Sequence, residues 1–327
     1  MTKSSSGTQA LPCILAEQAK IVPRPIMFVR VSVAALMAAA LGIPQAAWAD
    51  TLPLGDAGNY GLLFTGYGAN TLQITNVSIL GNIGVASIGL ATDSGPSTVN
   101  GAINFAASNI GQFSNNNAGD VITGGVHFGV GTVTSALNTV TALNTTLGAE
   151  PGANLSINGN TSVNITNGTL HGDDYVFNVT SYNMSDGQLL TINGDGVHNV
   201  VFNFTSSANL KGDVVLHNIG GDSVLYNFVG GTGGTGGPTM QLNTNASSYS
   251  TRFWQGVILD PNGPMSLTNA NLEGRVFGGD THDFQYVSGT TIDTPVFSPV
   301  PEPSSLFLSL AGLAFFGASA IRKKLKA

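Results

Sequence analysis

The chain has 327 residues, of which only 9% are charged, far below the usual share of about a quarter in soluble domains, while 43 glycines exceed a typical complement. No Gly-X-Y period accompanies those glycines, and 42% hydrophobic residues can supply a core, so collagen-like and disordered chains are both excluded. Between residues 50 and 298 stand 16 acids against 3 cations, Lys211, Arg252 and Arg275, which excludes a nucleic-acid partner. The single cysteine, Cys13, leaves the middle of the chain without a disulfide framework or a thiolate metal site.

The first element in chain order is an addressing segment. Arg24 and Arg30 precede an apolar run over residues 31–49 that breaks at Gly42 and Pro44 and ends in Ala47-Trp48-Ala49. This is the three-part pattern of a secretory signal peptide, with small residues Ala47 and Ala49 for signal peptidase and Asp50 as the mature start. The basic leader is long, which makes Met27 a second possible initiator. The expected boundaries are 1–49 for the signal, 50–298 for the main domain and 299–327 for a C-terminal segment.

Inside the main domain, short runs of Val, Ile and Phe alternate with Asn-Gly, Gly-Asp and Gly-Gly punctuation. Thr132–Leu147 departs from this: Val133, Ala136, Leu137, Val140, Leu143 and Leu147 follow helical spacing, and Gly148 and Pro151 stop it. Such a helix would cover part of a sheet or an open edge.

The strands then repeat. Val176–Thr180, Val201–Thr205 and Leu225–Val229 recur 25 and 24 residues apart, with Leu189–Ile192 and Val214–Leu216 between them, as coils of a solenoid should. Period-two alternation sends Phe177, Phe202, Phe204, Tyr226 and Phe228 to one face, inward, where rings can stack. Asn178, Asn203 and Asn227 share the opposite face, either as an amide ladder between coils or as a polar array facing a ligand. The fold class is therefore mainly β: a right-handed β-solenoid, or β-helix, with one flanking α-helix.

Chemistry is sparse. Gly231-Thr232-Gly233-Gly234-Thr235-Gly236 matches a dinucleotide fingerprint in form, but Pro238–Leu242 after it reads as a strand, so no helix N-terminus can hold a phosphate and the segment reads as a flexible loop. His171, Asp173 and Asp174 form one polar cluster, and Asp280, His282 and Asp283 another. Either could hold Ca²⁺, and Asp173, Asp174, Asp280 and Asp283 are the candidates for acid and base work on a polysaccharide, although solvated loops explain both groups equally. No nucleophile elbow or zinc motif occurs.

The C-terminal segment carries Pro301-Glu302-Pro303, an apolar run over residues 305–321 and the basic cluster Arg322, Lys323, Lys324 and Lys326. Seventeen helical residues reach about 26 Å, which suits a transmembrane helix with snorkelling lysines. This order resembles the PEP-CTERM sorting signal of Gram-negative bacteria. The resemblance implies processing by exosortase and a membrane-anchored precursor that passes to the cell surface or extracellular matrix.

Leu54–Tyr60, Phe253–Asn262 and Leu272–Gly279 resemble landmarks of the choice-of-anchor A domain. That resemblance implies a non-enzymatic adhesive or structural protein with exopolysaccharide or a matrix protein as partner. Leu54–Leu63 and Gly81–Gly84 are also similar to the ice-binding-like solenoids, whose fold includes a flanking helix. The sequence thus leaves three readings: a non-catalytic surface adhesin, an ice-binding solenoid, and a polysaccharide-active β-helix enzyme.

Overall fold

The computed structural model describes residues 52–108, 112–243 and 253–294. The signal segment with Ala47, Ala49 and Asp50, and the sorting segment with Pro301, Glu302, Pro303 and the basic cluster, lie outside the described residues.

Short parallel strands stack into a solenoid with three faces. Ten strands form the first face, in the order Val126–His127, Ile103–Phe105, Asn82–Val85, Tyr60–Phe64, Asn271–Gly278, Trp254–Asp260, Val224–Phe228, Asn199–Phe204, Asp174–Asn183 and Ala153–Asn158. The second face is a sheet of seven: Ala208–Leu210, Met240–Leu242, Met265–Thr268, Phe284–Val287, Thr71–Thr75, Leu90–Asp93 and Phe113–Asn115. The third face runs in two stretches. One comprises Thr161–Asn164, Leu189–Asn193 and Asp213–His217, and the other Thr291–Asp293, Ser78–Leu80, Thr98–Asn100 and Val121–Ile122. Among the named strands only the hairpin pairing of Thr169–His171 with Asp174–Asn183 is antiparallel.

The repeats pair in the register their spacing requires. Phe177 stands opposite Phe202 and Phe202 opposite Tyr226, while Leu190 stands opposite Val214. Their rings stack inward, with centroids 5.6 Å apart for Phe177–Phe202 and Phe202–Tyr226 and 4.8 Å for Phe204–Phe228. These side chains are buried in the solenoid interior together with Leu, Ile and Val from the other two faces.

Coils do not stack in chain order. The early strands step outward from Tyr60–Phe64 to Val126–His127, and a single α-helix, Gly131–Ala149, follows. The strands then restart at the opposite end with Ala153–Asn158 and climb back until Asn271–Gly278 meets Tyr60–Phe64, Leu62 opposite Val276. At 1.5 Å per residue the helix spans about 28 Å, some six strand spacings of ~4.8 Å, which is why it can carry the chain back along the stack. Its buried residues Val133, Ala136, Leu137, Val140, Asn144 and Leu147 form a second apolar layer with outward side chains of the first face, among them Val176, Val201, Leu225 and Val257.

Two sequence expectations change. The spanning helix at residues 305–321 is withdrawn: among the described residues no helix is long and apolar enough to cross a membrane. The segment itself lies outside the described residues, and the membrane-anchored precursor is not carried further. The Gly231–Gly236 loop is not flexible either. Thr232 and Thr235 form an antiparallel bridge, Gly234 N–H donates to Asn262 Oδ1 at 3.0 Å, and Thr281 N–H donates to the Gly234 carbonyl at 3.0 Å.

Candidate binding surfaces

The three solenoid faces differ in what covers them. On the first, Asn203 and Asn227 are buried beneath the helix. Asn227 Nδ2 donates to Asn203 Oδ1 at 2.8 Å, and Asn203 Nδ2 donates to the Leu147 carbonyl at 2.9 Å. Asn144 Nδ2, from the helix, donates to Asn227 Oδ1 at 2.7 Å and to the Phe228 carbonyl at 2.8 Å. Asn178 Nδ2 donates to the Gly152 carbonyl just past the helix, at 3.1 Å. The asparagine row thus meets the helix and the segment after it. Asn144 escaped the sequence reading because apolar periodicity counts Leu143 and passes over a buried amide; its position four residues after Val140 was the available signal.

Among the described residues, no helix covers the second face. Its seven strands place one outward residue each in a continuous row: Asn209, Gln241, Ser266, Gln285, Gln73, Thr92 and Ser114, paired register by register. Every member is an uncharged amide or hydroxyl, and at ~4.8 Å per strand the row runs about 29 Å. Beside it Thr268, Val287 and Thr75 form a shorter row. Behind it Leu210, Leu242, Leu267, Tyr286 and Ile74 are fully buried or nearly so, which backs the sheet with a packed core. None of these seven residues was singled out from the sequence, because each sits alone in a different short strand.

The two acidic clusters do not assemble into catalytic groups. His171 Nε2 contacts the Pro151 carbonyl at 2.8 Å, while Asp174 accepts from Asn199 Nδ2 at 2.9 Å, and burial raises the Asp174 carboxyl above its usual range. Asp173 is exposed. In the other cluster Asp280 Oδ2 lies 2.6 Å from His282 Nδ1, and this hydrogen bond raises the pKa of the exposed imidazole. Asp283, exposed beside the middle of the uncharged row, instead accepts from Thr71 N–H at 2.9 Å and from Gln73 Nε2 at 3.0 Å. Among the described residues no three His, Cys, Asp or Glu side chains gather as metal ligands.

Known proteins fit this picture in part. The PEP-CTERM protein-sorting motif matches residues 299–324. No curated protein matches the chain. Among solved structures, the ice-binding protein of the Antarctic ascomycete Antarctomyces psychrotrophicus is similar at a TM-score of 0.50 and 16% identity, covering 76% of this chain and 100% of that one. An ice-binding protein from an Arctic yeast (TM-score 0.48, 15% identity) covers 77% of this chain and 97% of its own. The ice-binding DUF3494 domain of Shewanella frigidimarina (TM-score 0.44, 14% identity) covers 76% of this chain and 100% of its own. The first of these likenesses defines the fold class: a β-solenoid with a flanking helix, as in an ice-binding protein. The choice-of-anchor A resemblance is corrected accordingly, since the fold likeness runs to ice-binding proteins and the family match is confined to the sorting motif. In two of the stretches that suggested it, Gly256, Gly274 and Gly278 let neighbouring coils pack closely. The chain thus combines a β-solenoid with a sorting-type motif at residues 299–324.

Proposed function

We propose that the domain binds ice through its second face and is exported to work at the cell surface. The observation that carries this reading is the seven-stranded parallel face, free of the helix among the described residues, with its unbroken uncharged row from Asn209 to Ser114. Ice is a neutral lattice of donors and acceptors. A surface that engages it needs evenly spaced groups on a rigid support, and charges would instead keep their own hydration shells. The parallel ladder supplies the spacing and the packed core the rigidity. The fold likeness to an ice-binding protein supports the same reading.

Export rests on the two ends of the chain. Signal peptidase cleaves after Ala49, leaving Asp50 first, and exosortase acts at Pro301-Glu302-Pro303 with Arg322, Lys323, Lys324 and Lys326 as its basic flank. The boundaries 1–49, 50–298 and 299–327 follow from that processing. A surface-held ice-binding face would join cell to ice, which gives the adhesive reading a specific object in place of matrix glycan or protein.

The test is partitioning of the purified chain into a slowly growing ice hemisphere, alongside Thr92→Tyr in the row and Asn100→Tyr on the third face. Inclusion in ice for the wild type and Asn100→Tyr, with exclusion of Thr92→Tyr, is the expected outcome. Exclusion of the wild-type chain at the level of a control globular protein would overturn the reading.

A further inference from the structure

The Gly231–Gly236 loop has a structural task that the ice-binding reading leaves unused. Gly234 adopts φ +80°, and a methyl group there would stand 2.3 Å from Tyr67 Cδ2 and 2.7 Å from Cγ, so only glycine can press its backbone against that ring. Asn262 and Thr281 fix Gly234 by its N–H and its carbonyl, each at 3.0 Å. Tyr67 in turn projects from a tight turn in which Gly66, Gly68 and Ala69 all have left-handed backbone, closed by Asn70 Nδ2 donating to the Tyr67 carbonyl at 2.7 Å. Two constrained loops from distant parts of the sequence therefore clasp one aromatic side chain. A non-glycine residue in that conformation, Ala69 at φ 61°, carries strain that packing must offset.

Tyr67 lines a cleft of about 480 Å³ against the helix, within the size range of small-ligand sites. The helix contributes Leu137, Asn138, Thr141, Ala142, Thr145 and Thr146, from three successive turns. No lining residue is charged. Thr141 Oγ1 donates to the Leu137 carbonyl at 2.8 Å and Thr145 Oγ1 to the Thr141 carbonyl at 3.0 Å, so both hydroxyl protons point into the helix and the oxygens offer lone pairs outward. The cleft thus combines an aromatic ring held from behind, a primary amide and a line of acceptors. An anion would find acceptors facing it, and a cation would find no carboxylate.

We propose that this cleft is a binding subsite for a neutral glycan, with one sugar ring stacked on Tyr67 and its hydroxyls donating to Thr141 and Thr145 while Asn138 both donates and accepts. The apolar side of a pyranose suits an aromatic ring, and its ring of hydroxyls suits acceptors that lack charge. The site is separate from the second-face row and does not depend on ice binding.

The purified full chain, isotope-labelled for NMR, is titrated with cellohexaose, maltohexaose and the anionic tetragalacturonate. Saturable shifts of the Tyr67 ring and the Asn138 side-chain amide with at least one neutral hexaose, and weaker or absent shifts with the galacturonate, are expected. Tyr67→Phe keeps affinity for that hexaose, and Tyr67→Ala loses at least about tenfold. Ala142→Trp, on an exposed helix position that leaves folding intact, blocks binding by filling the cleft. Absence of binding by both neutral hexaoses, equal or tighter binding of the galacturonate, or full affinity in Ala142→Trp would each overturn the assignment.

Discussion

Asparagine 227 shows what a buried amide does in a fold with so little charge. Its side chain has no exposed surface and exchanges hydrogen bonds with Asn203 on the next coil and Asn144 on the helix. Truncation to alanine leaves a donor on Asn144 and an acceptor on Asn203 without partners in a dry layer. Asn227→Ala is therefore expected to cost roughly 2–3 kcal/mol in urea unfolding. Asn144→Ala added to it should cost less than the sum of the two single changes, because the second substitution removes a group the first has already orphaned. The shared face of Asn178, Asn203 and Asn227 is legible from strand alternation alone. That Asn144 completes the network is not, since a polar residue at a helical position reads as solvent-facing until the helix is docked. The row on the second face is less legible still: neither Asn209 nor Gln241 looks unusual within a three-residue strand, and only the register places them side by side.

At the scale of the element, the helix is the part most plainly written in the chain. Its apolar spacing and the Gly148 and Pro151 stop fix it to within about two residues, and it spans Gly131–Ala149. Its task is to seal the outward side chains of the first face, which would otherwise expose a strip of Val and Leu. The last turn matters most. Leu147 is buried against that strip, and its carbonyl accepts from Asn203. Leu147→Ala removes a packed side chain, at a cost of about 2–4 kcal/mol, and loosens the end of the helix that holds the asparagine network. Hydrogen exchange should show this locally: amides of residues 144–149 lose protection, while those of Leu62 and Ile258, in the solenoid interior, keep it. Uniform loss of protection across all of them would show that the helix and solenoid unfold as one unit. The segment outside the described residues, 305–321, has helical composition too, but composition does not show where a helix sits.

The whole molecule is held together by a seam between early and late chain, Leu62 opposite Val276 and Leu63 opposite Phe277. A period of 24 or 25 residues reveals coils, yet nothing in it says that the last coil made seats on the first, so this closure was not legible. Several carboxylates in this acid-rich chain are also partly or wholly buried. Asp222, near Arg275 at 3.7 Å, is pushed up to about 6 by burial, against the pull of that guanidinium; Asp93 is raised to about 6 by burial as well. Burial likewise raises Glu150 and Asp174. An unfolded aspartate titrates near 3.9, so a folded pKa of about 6 means that the native state binds the proton more readily. The stability that Asp93 and Asp222 contribute is fully present below about pH 4 and lost as the pH rises through 6. Asp195 opposes them. Although burial pushes it up, the N–H groups of His198 and Val197 hold it below its usual value, and its contribution disappears in strong acid. The melting temperature of the full chain should therefore be higher at pH 5 than at pH 7.5. Added salt should raise it at pH 7.5 by screening the surplus of acids. Asp93→Asn, which replaces a carboxylate that accepts from Ser97 Oγ with a neutral amide, should raise the value at pH 7.5 and flatten the profile between pH 5 and 7. A melting temperature that climbs steadily from pH 5 to pH 7.5 in the wild-type chain would show that Asp93 and Asp222 are ionised without penalty, and that the acid surplus is spread too widely to strain the stack.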